Sequence, residues 1–259
     1  TKIPGGRLEL RLAPEGSARS FSLDLLRGLG SVRTGQGRVE VFFSAVEPVA
    51  LLRSTTPIQD WNLLPPASVS KLGYPAPETG QDGDTAWFLQ EAALGLRFAV
   101  VCASRTSPTG TTMALTVAST QDARDPLALG RERTRKALDT GWDGLFELHA
   151  GWWKKFWLAS SVRLPDRAIQ QQYDLVQYFY GAASRKGAPP IPLQGVWTAD
   201  EGGLPPWHGD YHHDLNTQLT YWAYLASGRF EEGESFLDFM WNLLPVHREF
   251  AKNFYLLGR

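Results

Sequence analysis

Cysteine is almost absent from this 259-residue chain: Cys102 stands alone, so no disulfide framework can form within it. Cys102 lies in the apolar run Leu96-Arg97-Phe98-Ala99-Val100-Val101-Cys102-Ala103 and reads as a buried core thiol. No apolar stretch approaches the roughly 20 residues that a membrane helix requires. The opening Thr1-Lys2-Ile3-Pro4 carries neither a charged n-region nor an apolar h-region. An excess of charge is missing too. With 26 basic against 27 acidic residues, net charge −1 and no long basic run, nothing electrostatic points to nucleic acid or an anionic membrane. Neutral substrates fit better, and no cofactor is implied. The glycines at Gly5-Gly6, Gly202-Gly203 and between Gly28 and Gly37 lack the strand-loop-helix context of a nucleotide fingerprint and read as turns. There is no Gly-x-Ser-x-Gly elbow.

What is present is an ordinary globular composition, 43% hydrophobic and 20% charged, enough for one large or two moderate domains. Its tryptophans are unevenly placed: of ten, only Trp61 and Trp87 precede residue 140. The first part shows short alternating or apolar segments at residues 8–12, 39–43, 96–103 and 111–118, which read as antiparallel strands of a β-sandwich. Residues 55–84 hold Pro57, Pro65, Pro66, Pro75 and Pro77, which predict a long loop or the edge of a sheet.

From about Asp125 the spacing becomes helical. Residues 131–159 carry Leu145, Leu148, Trp152, Phe156 and Leu158 near i, i+3, i+4 spacing and predict a connecting helix. Its aromatic group Trp152, Trp153, Phe156 and Trp157 reads as packing. Asp166 can cap the next helix, where Ile169, Tyr173, Val176, Tyr180 and Ala183 recur at spacings of three and four. Basic Arg185 and Lys186 before Gly187 suit that helix's C-terminal end. Residues 216–227 and 231–257 supply two more helices, with Pro245 expected to kink or divide the last.

Between these helices, residues 193–222 concentrate indoles, imidazoles, carboxylates and amides. Flat aromatic faces cover the apolar C–H patches of a pyranose, while Asp, Asn, Gln and His fix its hydroxyls. The candidate sugar-binding residues are Trp197, Trp207, Asp210, His212, His213 and Gln218; Asp214 and Asn216 are the catalytic candidates, at a loop-to-helix junction where first-turn N–H groups stabilise negative charge. Each has a plainer reading: Asp214 as a helix N-cap, Trp197 and Trp207 as core. The run from His208 to Asp214 matches no zinc spacing, so no metal site is assigned.

These residues occur in ordered blocks: Trp152-Trp153 with Phe156-Trp157, Leu164-Pro165-Asp166, Ala183-Ser184-Arg185, Leu193-Gln194-Gly195-Val196-Trp197, Pro205-Pro206-Trp207, and Asp210-Tyr211-His212-His213-Asp214-Leu215-Asn216 with Gln218 and Tyr221-Trp222. In them the chain resembles glycoside hydrolase family 95, the inverting α-L-fucosidases and α-L-galactosidases. The resemblance implies an α+β multidomain protein: a β-sandwich over residues 1–125, a helical linker over 126–160, and from 161 to 259 the first helices of an (α/α)6 barrel. It implies an oligosaccharide or glycan substrate, an extracellular or periplasmic setting, and a general acid on later barrel helices. Both ends look cut, so the chain reads as part of a longer one that self-associates if isolated, through apolar stripes normally covered. Family members carry asparagines at the positions of Asp214 and Asn216. Asp214 departs from that pattern, which leaves open a direct base, a different sugar, or a shifted mechanism. A non-catalytic carbohydrate-binding fragment and a related (α/α)6-barrel phosphorolytic enzyme are the alternatives.

Overall fold

The structure is a computed structural model and describes residues 5–13, 17–196, 204 and 206–255. It separates into two compact units, one built on residues 3–155 and the other on residues 156–198 with 205–259.

The first unit is dominated by antiparallel strands. Strands β1 (Arg7–Leu12) and β6 (Ile58–Leu64) form a two-stranded ribbon. The eight-stranded sheet comprises β2 (Ala18–Asp24), β3 (Leu29–Thr34), β4 (Arg38–Phe43), β5 (Ala50–Ser54), β7 (Glu78–Asp82), β8 (Thr85–Glu91), β9 (Arg97–Ser107) and β10 (Gly110–Ser119). Its spatial order is β2-β3-β4-β5-β10-β9-β8-β7, with every neighbouring pair antiparallel. The sequence therefore under-reported strands. Residues 55–84 are not one loop: they contain β6, the short helix α1 (Ser68–Lys71) and β7, which is an edge strand. The prolines lie between these elements, Pro57 before β6 and Pro75 and Pro77 before β7, where no ladder N–H is needed.

Helix α2 (Pro126–Ala159) begins earlier than its periodicity suggested and is broken at Gly141, whose φ of 80° and ψ of 167° are not helical. Up to residue 155 it belongs to the sheet unit. Ala137, Trp142 and Leu145 pack with Leu29, Phe42, Leu51 and Ala114 of the sheet. Phe42 meets Trp142 edge-on at 4.9 Å, and the Arg53 guanidinium lies 4.5 Å over the same indole. Burying side chains such as Phe42 and Leu51 contributes about 1.5–3 kcal/mol each. His149 is held at both nitrogens: Nδ1 accepts from the Ala45 N–H at 3.1 Å and Nε2 lies 3.3 Å from the Gly28 carbonyl, which makes Nε2 the protonated one. Gly28 cannot be replaced easily, since its φ is 58° and a Cβ there would sit 2.2 Å from Trp153 Nε1. Trp153 and Phe156 are buried, as the packing reading expected. Cys102, on β9, is fully buried, and burial pushes its thiol pKa up to about 12.

The second unit is helical. Asp166 caps α3 (Arg167–Ala183) by accepting from the N–H groups of Ala168 at 2.8 Å and Ile169 at 3.1 Å. Helices α4 (Asn216–Ala226) and α5 (Phe230–Phe254) follow. A Cβ on Gly233 would come 2.3 Å from the Tyr224 ring, so α4 and α5 approach each other through a position open only to glycine. Pro245 does not end α5, which remains helical on both sides of it. Arg229, between α4 and α5, is buried. Its Nε donates to Gln177 Oε1 at 3.0 Å, Nη2 to the Ser160 carbonyl at 3.0 Å, and Nη1 to the Phe156 carbonyl. The guanidinium also lies 3.7 Å over the Phe156 ring. No helix among the described residues is long and apolar enough to cross a membrane.

Candidate active site

The framework of the site starts where α3 ends. Ser184, the residue after its last turn, is buried, and its hydroxyl donates to the Glu232 carbonyl at 2.7 Å. The same oxygen lies 2.8 Å from Tyr221 Oη and 2.6 Å from Ser235 Oγ. Tyr221 Oη in turn accepts from the Ile191 N–H at 2.7 Å. One hydroxyl cluster thus joins the end of α3, the loop after it, α4 and α5. Arg185 donates back to the Gly181 carbonyl at 3.0 Å, the C-terminal role its position suggested.

Two stretches of the loop then run side by side. The Leu193 N–H donates to the Asp210 carbonyl at 3.0 Å, and Tyr211 Oη donates to the Pro190 carbonyl at 3.0 Å. Tyr211 and His213 are stacked 6.0 Å apart, and Phe239 packs 4.7 Å from Tyr211 and 5.8 Å from His213. Tyr221 stacks on Phe236 at 4.9 Å. This aromatic floor was missed in the sequence because Phe236 and Phe239 belong to α5, more than twenty residues downstream.

In the same loop, Trp207 and His208 occupy a 3-10 turn, Pro206–Gly209, in which both have φ of 55°, the left-handed region that side chains avoid. Such strain persists where surrounding structure holds it, often at ligand sites. Trp207 is 70% exposed, so the core alternative for it fails. Its ring meets His212 edge-on at 5.7 Å, and His212 Nε2 lies 2.9 Å from Asp210 Oδ1. Trp207, His212 and Asp210 therefore form one polar-edged aromatic surface, suited to a sugar ring and its hydroxyls. Trp197 lies outside the described residues.

Asp214 is exposed and has no hydrogen bond or ion pair among the described residues. The helix-cap alternative is contradicted, because Leu215 occupies the position before α4 and no side chain caps that helix. Asn216 is the first residue of α4 and its side chain is exposed. Gln218 is spent locally, its Nε2 donating to the His213 carbonyl. Four buried polar atoms in this stretch, on Gln194, His213, Thr217 and Gln218, have no hydrogen-bond partner among the described residues. Buried polar atoms are nearly always paired, with protein or with water, so these four are available to bound water or to a ligand's hydroxyls. Among the described residues no three His, Cys, Asp or Glu side chains converge as metal ligands.

His213 carries a pH prediction. Burial lowers its imidazole pKa below the ordinary 6.5, and His247 lowers it further. The unfolded chain therefore binds this proton more readily than the folded one. Stability is present above about pH 6.5 and falls as the pH drops through that value. The urea midpoint should decline between neutral pH and pH 5 and decline less in His213→Phe; parallel slopes for the two proteins would reject the assignment.

Residues 159–258 match the glycosyl hydrolase family 95 catalytic domain. In this part the chain is similar to that family. Over 68 residues the chain is 38% identical to "Probable alpha-fucosidase A" of Aspergillus niger, covering 26% of this chain and 8% of that protein. Over 72 residues it is 36% identical to "Alpha-L-fucosidase 2" of Arabidopsis thaliana, covering 28% of this chain and 8% of the relative. The matched stretches are thus small parts of those proteins. Among solved structures, "Putative kojibiose phosphorylase from human microbiome" aligns with a TM-score of 0.53 at 13% identity, covering 70% of this chain and 29% of that one, a likeness of fold alone. The matched segment contains α3, α4, α5 and every candidate site residue named from the sequence.

Proposed function

We propose that the protein is a glycosidase that removes a terminal α-linked sugar of the α-L-fucose or α-L-galactose type from a glycan, with inversion at the anomeric carbon. The match of residues 159–258 to the family 95 catalytic domain carries this reading. In it the N-terminal unit is the β-sandwich domain over 1–125, residues 126–160 are the linker, and residues 161–259 open an (α/α)6 barrel.

An inverting glycosidase needs an acid at the leaving oxygen and a base that activates water on the other face, about 6.5–9.5 Å apart. Asp214 fits the base side: its carboxylate is exposed and makes no hydrogen bond or ion pair among the described residues, beside Asn216 at the start of a helix whose dipole favours negative charge. Asp214 takes the water's proton and Asn216 orients that water. Trp207 stacks on the sugar, with Asp210 and His212 at its hydroxyls; Trp197, His213 and Gln218 complete the binding set. The proton donor belongs to the family's later barrel helices.

The test is a panel of p-nitrophenyl α-L-fucoside, α-L-galactoside, α-D-glucoside and α-D-galactoside offered to the full protein, with the released anomer followed by NMR. Release of the β-anomer from an α-L-substrate supports the proposal. Phosphate-dependent release would replace it with phosphorolysis, and binding without turnover would replace it with a carbohydrate-binding role.

A further inference from the structure

The sheet unit holds a cluster of basic side chains of its own. In the sheet unit, Arg33 on β3 and Arg38 on β4 are directly opposed partners across an antiparallel pair. Like charges placed in this way destabilise a sheet unless something neutralises them. Neutralisation from the protein is meagre. Arg38 lies 3.5 Å from Glu40, but that carboxylate is already gripped by Arg53, through Nη2 at 2.8 Å and Nε at 3.2 Å. Arg33 has no carboxylate partner among the described residues.

A third guanidinium joins them. The pairing of β2 with β3 steps from Ala18 opposite Thr34 to Ser20 opposite Arg33, which leaves Arg19 as the extra residue of a bulge. A bulge re-aims the side chain it carries. Arg19, Ser20, Arg33, Thr34, Arg38 and Thr55 line one open, solvent-facing hollow of about 620 Å³. Its floor is fixed: Thr34 Oγ1 bonds Thr56 Oγ1 at 2.8 Å, and the Arg38 N–H donates to Thr55 Oγ1 at 3.0 Å. A Cβ on Gly37, also in the lining, would fall 2.5 Å from Thr55 Oγ1, so the turn between β3 and β4 sits tight against β5.

We propose that this cavity binds an anionic saccharide, one bearing a carboxylate or a sulfate ester. Planar guanidinium forks match such oxyanions in pairs, while the Ser20 hydroxyl suits a ring hydroxyl. The saccharide carrier rests on the glycan reading above; the oxyanion preference rests on the three arginines. The site would hold the charged part of a glycan on the sheet unit, apart from the residues assigned to bond cleavage.

Titration calorimetry on the full protein tests this with trigalacturonic acid, a sulfated disaccharide, neutral galactotriose, inorganic phosphate and a short DNA duplex. The carboxylated or sulfated sugar should bind, more weakly as salt rises, and galactotriose should not. Arg33→Ala and Arg19→Ala should each weaken binding about tenfold or more, and Arg33→Ala, which removes the repulsion with Arg38, should not lower the thermal midpoint of the ligand-free protein. Arg33→Lys should recover part of the loss, and turnover of p-nitrophenyl substrates should be the same in all these variants. Absence of binding by both acidic sugars, equal binding of galactotriose, or indifference to Arg19→Ala with Arg33→Ala would overturn the proposal. Phosphate or DNA binding as tightly as the acidic sugars would overturn its saccharide part. If the acidic sugar binds while no glycoside is hydrolysed, the glycosidase reading fails and this one stands.

Discussion

Arg229→Ala destabilises the helical unit by about 3–5 kcal/mol, the scale of leaving three buried or half-buried acceptors without their donor. Removal of the guanidinium strands Gln177 Oε1 and the carbonyls of Phe156 and Ser160 in a buried place, each left without its donor. The Phe156 ring loses the cation lying over it at 3.7 Å. Arg229→Lys restores the charge but not the three-way fork, so it recovers only a minor part. Urea unfolding followed by circular dichroism measures both; a shift below about 1 kcal/mol in Arg229→Ala would show that the guanidinium's bonds only balance its desolvation.

Asp214→Ala in the full protein lowers kcat/KM by about 10²–10⁴, the usual cost of losing a general base. The thermal midpoint should hardly move, because the carboxylate is exposed and bonded to nothing among the described residues. Asp214→Asn is the sharper variant, since it recreates the asparagine of the family pattern. If Asp214 itself takes the proton, the amide falls as far as alanine. Activity kept in Asp214→Asn would assign the position to holding water and move the base elsewhere. Asn216→Ala should also lose turnover with its fold intact.

What could be read in advance depended on how far apart the interacting residues lie along the chain. The Asp166 cap involves residues two and three positions away, and the spacing of α3 announced it. Asp210 and His212 are likewise neighbours, and the sequence named both as sugar-binding candidates, though not as partners of each other. Arg229 was silent because its acceptors lie 52 to 73 residues upstream. Tyr221 was quoted only as part of a motif, yet it joins Ser184 and Ile191 across 37 and 30 residues. The break at Gly141 was hidden inside a good helical pattern, where glycine is tolerated and only its positive φ reveals the interruption. Strand β2 was overlooked although Phe21 and Leu23 alternate with Ser20 and Ser22, because that alternation spans only four residues. Asp214 misled in the opposite direction, since a favoured cap residue stands one place too early to cap.

The lone cysteine has a practical sequel. Cys102 is sealed in the sheet and its thiol ionises only near pH 12, so thiolate-seeking reagents find almost no nucleophile in the folded protein at neutral pH. A cysteine introduced on an exposed loop would then be the one reactive handle, and a maleimide dye or spin label could be attached there without first deleting the native residue. Modification of Cys102 itself becomes a clock for opening of the sheet, with its labelling rate reporting how often β9 is laid bare.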